Sequence, residues 1–286
     1  MENKFITLIG DPISHSKSPS IHNTAFSLLD MHYHYDLHTA NKENIKEVIH
    51  SLKEDNYVGW NVTMPVKSDM YKLCDKLSDV SMLSGAVNTV INQEGILYGT
   101  TTDGIGFLNS LKDEGIDPIG KKITILGCGG AATAIYVECA LQGVKEISIF
   151  NRMNNTIQDK QNRINQVIHK TNCDIHLYDL NDTNLLKKEI DDSYLLIQAT
   201  GIGMGETINQ SIIDDPSLFH KGLIVADLIY SPRCTKFLFY AKEAGCKCVN
   251  GEGMLLYQAA ESFKLWTNKE MPVKKLKEIL NIDINV

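Results

Sequence analysis

Basic charge is what this chain most lacks. Its 28 Lys and Arg are outnumbered by 35 Asp and Glu, a formal net charge of −7, which leaves no electrostatic footprint for nucleic acid. Long apolar runs are missing too. None approaches a membrane span, and the opening M-E-N-K-F-I-T-L-I-G lacks a signal-peptide layout. The seven cysteines include no C-x-x-C pair. Cys246 and Cys248 stand as C-x-C, too close for a zinc knuckle, and read as buried thiols, so no metal is expected. No internal repeat or low-complexity linker interrupts the 286 residues. What remains is a cytoplasmic protein with reduced thiols, long enough for one large or two ordinary domains.

The chain is organised around Lys122 to Gly143. Ile123 to Leu126 is a short β-branched, apolar run of the kind that makes a buried parallel strand. Gly127, Cys128, Gly129 and Gly130 follow at once, then good helix formers through Leu141, closed by Gly143. A second β-rich run covers Glu146 to Phe150. Strand, glycine turn, helix and strand make one βαβ unit with the spacing of a dinucleotide-binding half. Its G-x-G-x-x-A form ends on Ala132. Such a turn brings backbone N–H groups up to a pyrophosphate at the positive end of a helix. The next strand ends in Asn151-Arg152. An acidic residue here would accept from a free ribose 2′-OH, whereas arginine favours a 2′-phosphate. Local chemistry therefore leans to NADP, with NAD kept open by the neighbouring Asn154 and Asn155.

Before the glycine turn, the strands Phe5–Ile9, Tyr33–Leu37, Val58–Thr63, Ser84–Val90 and Leu97–Thr102 alternate with helical stretches. They suggest a small α/β domain preceding the nucleotide-binding one. Ser18 and Pro19 read as N-cap and first residue of a helix. Ser14 and Ser16 in the preceding loop either tie that loop to its own backbone or donate to a polar ligand. Lys67 falls in the first turn of a helix opened by Pro65. It is either a solvated lysine or an ammonium whose pKa the helix end lowers for acid–base work. Asp103 reads locally as an N-cap and Asn88 as a turn residue. Past the turn, Tyr194–Thr200, Leu223–Leu228 and Cys246–Val249 are further strands. Gln258 lies among apolar positions of a long helix, Met254–Trp266, where a half-buried amide needs partners.

Seven motifs, S-H-S-K-S-P, N-V-T-M-P-V-K, G-A-V-N-T, T-D-G-I-G-F, G-C-G-G-A-A, F-N-R and G-M-L-L-Y-Q, stand in one order along the chain. In them the chain resembles the shikimate/quinate dehydrogenases over essentially its full length, and looks closest to the dual-substrate branch. The resemblance implies reversible, NADP- or NAD-dependent oxidation of a ring hydroxyl of shikimate or quinate. It implies Lys67 and Asp103 as the catalytic pair and Ser14 and Ser16 at the substrate carboxylate. Thr63, Asn88 and Gln258 would meet the ring hydroxyls. Gly127, Cys128, Gly129, Gly130 and Ala131 would cradle the pyrophosphate, Asn151 and Arg152 would face the adenosine ribose, and Tyr230 and Gly251 would flank the nicotinamide. Gln198-Ala199-Thr200-Gly201 departs from the family's usual N-A-T-S.

The expected fold is α/β in two domains. Residues 1–104, completed by the C-terminal helices 254–286, bind substrate; residues 105–253 form a doubly wound Rossmann domain, with the active site in the cleft between them. A monomer or homodimer is expected, with small molecules as the only partners. Two alternatives are a dehydrogenase of the same fold acting on another small hydroxy acid, and a non-catalytic metabolite sensor.

Overall fold

A computed structural model describes residues 3–286. The chain divides into two compact units, Met1–Gly106 with Leu256–Ile282, and Phe107–Leu255 with Asp283–Val286. The first two of the three chain crossings, after Gly106 and after Leu255, fall inside helices. The last four residues, expected with the first unit, group with the second. Asn250 explains this: its N–H donates to the Ile284 carbonyl at 2.9 Å and its side-chain amide to that of Asp283 at 2.8 Å.

The first unit contains β1 (Lys4–Gly10), α1 (Ser18–Leu28), β2 (Tyr33–Thr39), α2 (Ile45–Glu54), β3 (Gly59–Val62) and α3 (Lys67–Leu73). It continues with β4 (Lys76–Leu77), α4 (Asp79–Ser84), β5 (Thr89–Gln93), β6 (Ile96–Thr100) and the start of α5 (Asp103–Asp113). Its six-stranded sheet has the order β2-β1-β3-β5-β6-β4. β1 runs parallel to β2 and β3, whereas β5 is antiparallel to both β3 and β6. The tight β5–β6 hairpin turns on Glu94 and Gly95, both at positive φ. Ile9, Trp60, Val62, Met70 and Val90 belong to a buried core cluster of this unit.

Two local expectations fail here. Ser84–Val87 is not strand: Ser84 ends α4, whose cap Ser78 accepts from the Ser81 N–H and whose C-terminus closes on left-handed Gly85. Nor does Ser18 cap α1, because Lys17 occupies that position and Ser18 is already helical and buried.

The second unit contains β7 (Lys122–Leu126), α6 (Gly130–Leu141), β8 (Glu146–Asn151), α7 (Ile157–Lys170), β9 (Asp174–Asp179) and α8 (Thr183–Asp191). After them come β10 (Leu195–Gln198), β11 (Ile224–Asp227), α9 (Lys236–Glu243) and β12 (Lys247–Val249). All its strand pairs are parallel, in the order β12-β11-β10-β7-β8-β9. Counted from β7 this is the doubly wound order 3-2-1-4-5-6, with its switch point between β7 and β10. The central strands β7, β10 and β11 are buried along nearly their whole length because both faces of the sheet are covered. α6 is apolar all round for the same reason, with Ala132 to Ala140 buried.

α10 (Glu252–Thr267) passes from the second unit into the first, and α11 (Val273–Ile279) follows it. In the first unit α10 is pinned to β5 by Trp266, whose indole N–H donates to the Val90 carbonyl at 2.9 Å. Phe263 and Trp266 flank the ring of His22, which stacks on Tyr35 at 4.4 Å between centroids. Burial pushes that imidazole down to about 3, so it is a neutral core residue at physiological pH.

Candidate active site

In the first unit, β3 runs into the turn Thr63–Val66, which α3 follows with Lys67 at its start. Hydrogen bonds from the Val66 N–H to the Thr63 carbonyl and from the Val87 N–H to the Lys67 carbonyl fix this segment beside the entry to β5. Lys67 Nζ donates to Asp103 Oδ2 at 2.6 Å. Their side chains are 29 % and 11 % exposed, so the ammonium is open to a small molecule while the carboxylate is nearly covered.

The other carboxylate oxygen, Asp103 Oδ1, accepts from Asn88 Nδ2 at 2.7 Å, and that amide also lies 3.5 Å from Gln258 Oε1. Asp103 is the first residue of α5 rather than its cap, and its charge is directed sideways to Lys67 and Asn88. Gly106, one turn on, explains how α5 comes so near α10. A Cβ there would lie 2.4 Å from the Gln258 nitrogen and 2.6 Å from its Cα. Only glycine allows that approach.

Lys67, Asp103, Asn88 and Gln258 thus form one bonded group. Thr63 is half-buried, four residues before Lys67. A Cβ at Gly10 would strike Thr63 Cγ2 at 2.4 Å and lie 3.2 Å from Ile13 Cγ2, so the loop after β1 closes onto this turn. Ser14, in that loop, is exposed; Ser16 is half-buried and its Oγ accepts from the Ser18 N–H at 3.2 Å. Among the described residues no hydrogen bond joins either serine to the Lys67–Asp103 pair.

Sequence reasoning missed a second layer behind Asn88: Asn61, Thr89, Thr102 and Ser262, all buried. Spacing could have found two of them. Asn61 shares a strand face with Thr63, and Ser262 lies four residues after Gln258 on the same helix face.

In the second unit the glycine turn follows β7 at the switch point. Gly127 has φ +102° and packs its Cα side against Thr200, where an added Cβ would meet Cγ2 at 2.8 Å. Gly129 precedes α6 with no side-chain cap. Nothing lies within 4 Å of a Cβ built at Gly129 or Gly130. The turn borders a cavity of about 480 Å³ whose wall includes Cys128, Asn151, Arg152, Asn154, Lys160 and Thr200. An uncapped helix start facing open space, with two cations on the wall, fits the phosphates of a dinucleotide.

Asn151 does more than line this cavity: its Oδ1 accepts from the Cys128 N–H at 3.1 Å, and its amide donates to the Arg152 carbonyl at 2.7 Å. It braces the turn from β8. Lys160 on α7 is a cation the sequence reading did not find. It lies near enough to Cys128 to oppose the upward pull that burial exerts on that thiol. Gln198, where the family usually has asparagine, is fully buried; it donates to the Ile202 carbonyl at 2.9 Å and accepts from the Thr200 N–H. The departure therefore shapes the loop that borders the cavity. Ala131 lies in the first turn of α6. Tyr230 is exposed after β11, and Gly251 packs where a Cβ would lie 2.1 Å from the Leu228 oxygen.

A parallel sheet with this strand order, a glycine turn at its switch point, and a second α/β unit carrying a braced lysine–aspartate pair define a two-domain protein of the Rossmann type. Residues 8–90 match the model for the shikimate dehydrogenase substrate binding domain, and residues 251–280 that for the shikimate 5'-dehydrogenase C-terminal domain. The shikimate dehydrogenase (NADP(+)) of Listeria innocua serovar 6a is 45 % identical over 277 residues, covering 97 % of this chain and 95 % of the relative. The solved structure of shikimate 5-dehydrogenase from Listeria monocytogenes, in complex with shikimate and NAD, superposes with a TM-score of 0.94 at 44 % identity, covering 97 % and 96 % of the two chains. The 5-ketofructose reductase of a Gluconobacter strain shares the fold at a TM-score of 0.86 and 28 % identity, covering 98 % and 99 %. The chain belongs to the shikimate dehydrogenase family.

Proposed function

We propose that this protein is a nicotinamide-dependent dehydrogenase that interconverts shikimate and its 3-dehydro ketone, with NADP as the preferred cofactor and quinate as a slower second substrate. The single observation that carries the reading is the Lys67–Asp103 contact at 2.6 Å, cross-braced by Asn88. Oxidising a secondary alcohol removes a hydride from carbon and a proton from oxygen. The bound cofactor supplies the hydride acceptor. Lys67 and Asp103 handle the proton at the hydroxyl oxygen and steady its developing charge, worth about 10²–10⁴-fold in rate.

Asn88, Gln258 and Thr63 hold the ring hydroxyls, and Ser14 and Ser16 the carboxylate. A site built for so many hydrogen bonds rejects analogues that leave its polar groups unpaired. In the second unit Gly127, Gly129, Gly130 and Ala131 hold the pyrophosphate. Arg152, helped by Lys160, takes the ribose 2′-phosphate, and Asn151 keeps the turn in shape. Tyr230 and Gly251 flank the nicotinamide. The names of the curated relatives, which specify NADP(+), agree with the cationic wall.

Steady-state assays with shikimate and quinate against NADP and NAD, read at the absorbance of the reduced cofactor, test this. Shikimate with NADP should give the highest kcat/KM. Absence of turnover on shikimate with either cofactor would refute the reading.

A further inference from the structure

Behind Asp103, one line of donors can be traced to the carboxylate. Asn88 Oδ1 accepts from the Thr102 N–H at 2.8 Å. A flipped amide would set N–H against N–H there and oxygen against carboxylate at Asp103, so the orientation is fixed. Asn61 is fixed likewise: Oδ1 accepts from the Tyr35 phenol at 2.8 Å and Nδ2 donates to the Asn88 carbonyl at 3.1 Å. Thr89 has one hydroxyl proton. Asn88 Oδ1, 2.7 Å away and acceptor only, takes it.

Ser262 Oγ lies 2.8 Å from Thr89 Oγ1. Since the threonine proton is already placed, the serine donates to the threonine. Were Ser262 to give its proton to the Gln258 carbonyl at 3.0 Å instead, two hydroxyl lone pairs would face each other at 2.8 Å. Asn61 Nδ2 lies 3.1 Å from both the Ser262 and the Thr89 hydroxyl oxygens, which accept from it, and the Thr102 hydroxyl lies 3.1 Å from Ser262 and 3.2 Å from Asn88 Oδ1. The line of donors that reaches the carboxylate is therefore Ser262 to Thr89, Thr89 to Asn88, and Asn88 to Asp103. Each link polarises the next toward the carboxylate. Thr89 and Ser262 are both fully buried, so no water stands in for a lost hydroxyl.

Resting on the proposed dehydrogenase reading, we infer that Thr89 and Ser262 are positioning residues: their hydroxyls, acting through Asn88, aim the Asn88 amide at Asp103 and so hold the carboxylate against Lys67. Neither residue has to touch substrate. The inference separates hydroxyl from shape. Thr89→Val keeps the shape and loses the hydroxyl, whereas Thr89→Ser keeps the hydroxyl and loses a methyl.

The test compares kcat for shikimate, KM for the cofactor and thermal stability in the parent, T89V, T89S, S262A and the double variant T89V/S262A. T89V should lose roughly tenfold in kcat, the scale of one net hydrogen bond, with KM for the cofactor unchanged. T89S should be the faster of the two single Thr89 variants although it is the less well packed. The double variant should be no slower than T89V, because Ser262 acts through Thr89. If T89V does not fold, S262A alone must show a several-fold fall in kcat at unchanged cofactor KM. A packing role predicts the reverse order, T89V faster than T89S; that order, additive losses, or an unimpaired S262A would overturn the inference. A parent inactive on shikimate would instead sink the functional reading itself.

Discussion

The two units prepare ligand sites by opposite means. In the first, the proposed site is built from side chains. Asp103, Asn88, Thr89, Thr102 and Ser262 are all buried and mutually bonded, and the only opening in the group lies at Lys67 and Gln258. In the second, the proposed site is built from missing side chains. Gly129 and Gly130 leave the start of α6 bare, and the cavity wall beside it carries Arg152 and Lys160. A dinucleotide phosphate asks for charge and close approach, which backbone supplies at any sequence with glycine in the right places. A proton-transfer pair needs fixed angles between particular atoms, and only a satisfied polar network sets those. Damage should therefore look different: crowding in the second unit, broken hydrogen bonds or lost close approach in the first.

Gly127→Val tests the crowded side and should have the larger effect. The new side chain strikes Thr200 and forces a left-handed φ of +102° on a β-branched residue. KM for the cofactor should rise about 10–100-fold, the equivalent of a strain of some 1–3 kcal/mol. If kcat at saturating cofactor falls more than KM rises, the division of labour is wrong. Gly106→Ala tests the other side. The added methyl pushes α5 off Gln258, costing about 1–3 kcal/mol of overpacking. Melting temperature and kcat should drop together while cofactor KM holds.

The smallest effect on turnover is expected at Asp227, at the end of β11. Burial pushes its carboxyl up to about 7, although it accepts from the Ile229 N–H and the Thr235 hydroxyl. Here the folded pKa lies above the ordinary aspartate value of 3.8. The folded state then binds more protons than the unfolded one across pH 4 to 7, and stability falls with rising pH over that window. The loss is absent below the unfolded pKa and complete above the folded one. Asp227→Asn removes it, so melting curves at pH 5 and pH 8 should differ less in the variant than in the parent. An equal difference would remove Asp227 as the source.

Much of this was legible beforehand, for physical reasons that vary along the chain. β1, β3, β7 and β10 are short apolar runs bounded by glycine or proline, and buried parallel strands have that composition. The glycine turn was legible because few arrangements other than strand, turn and helix need those glycines together. The stretch 153–193 was not: α7 and α8 are mostly polar, and β9 is an edge strand reading D-I-H-L-Y-D, half exposed. α4 stayed hidden because it is only six residues long, about a turn and a half behind its Ser78 cap.

At the site, Lys67 and Asp103 each had an ordinary local explanation, a solvated lysine and a helix cap. Thirty-six positions separate them, and no periodicity links such a pair. The ordered motifs drew attention to both, and folding brought them together. The hydroxyls behind them carried no signal, since a threonine opening a strand and a serine inside a helix are unremarkable until proton counting assigns them a direction.

The central claim is that Lys67, braced by Asp103, works on the substrate and not on the cofactor. Lys67→Ala measures it most directly, with turnover of shikimate and binding of NADP followed on the same preparation, the second by quenching of protein fluorescence. The account predicts that kcat falls by about 10²–10⁴-fold while the cofactor Kd stays within a factor of two or so of the parent. Unchanged turnover, or a loss explained entirely by weaker cofactor binding, would contradict it.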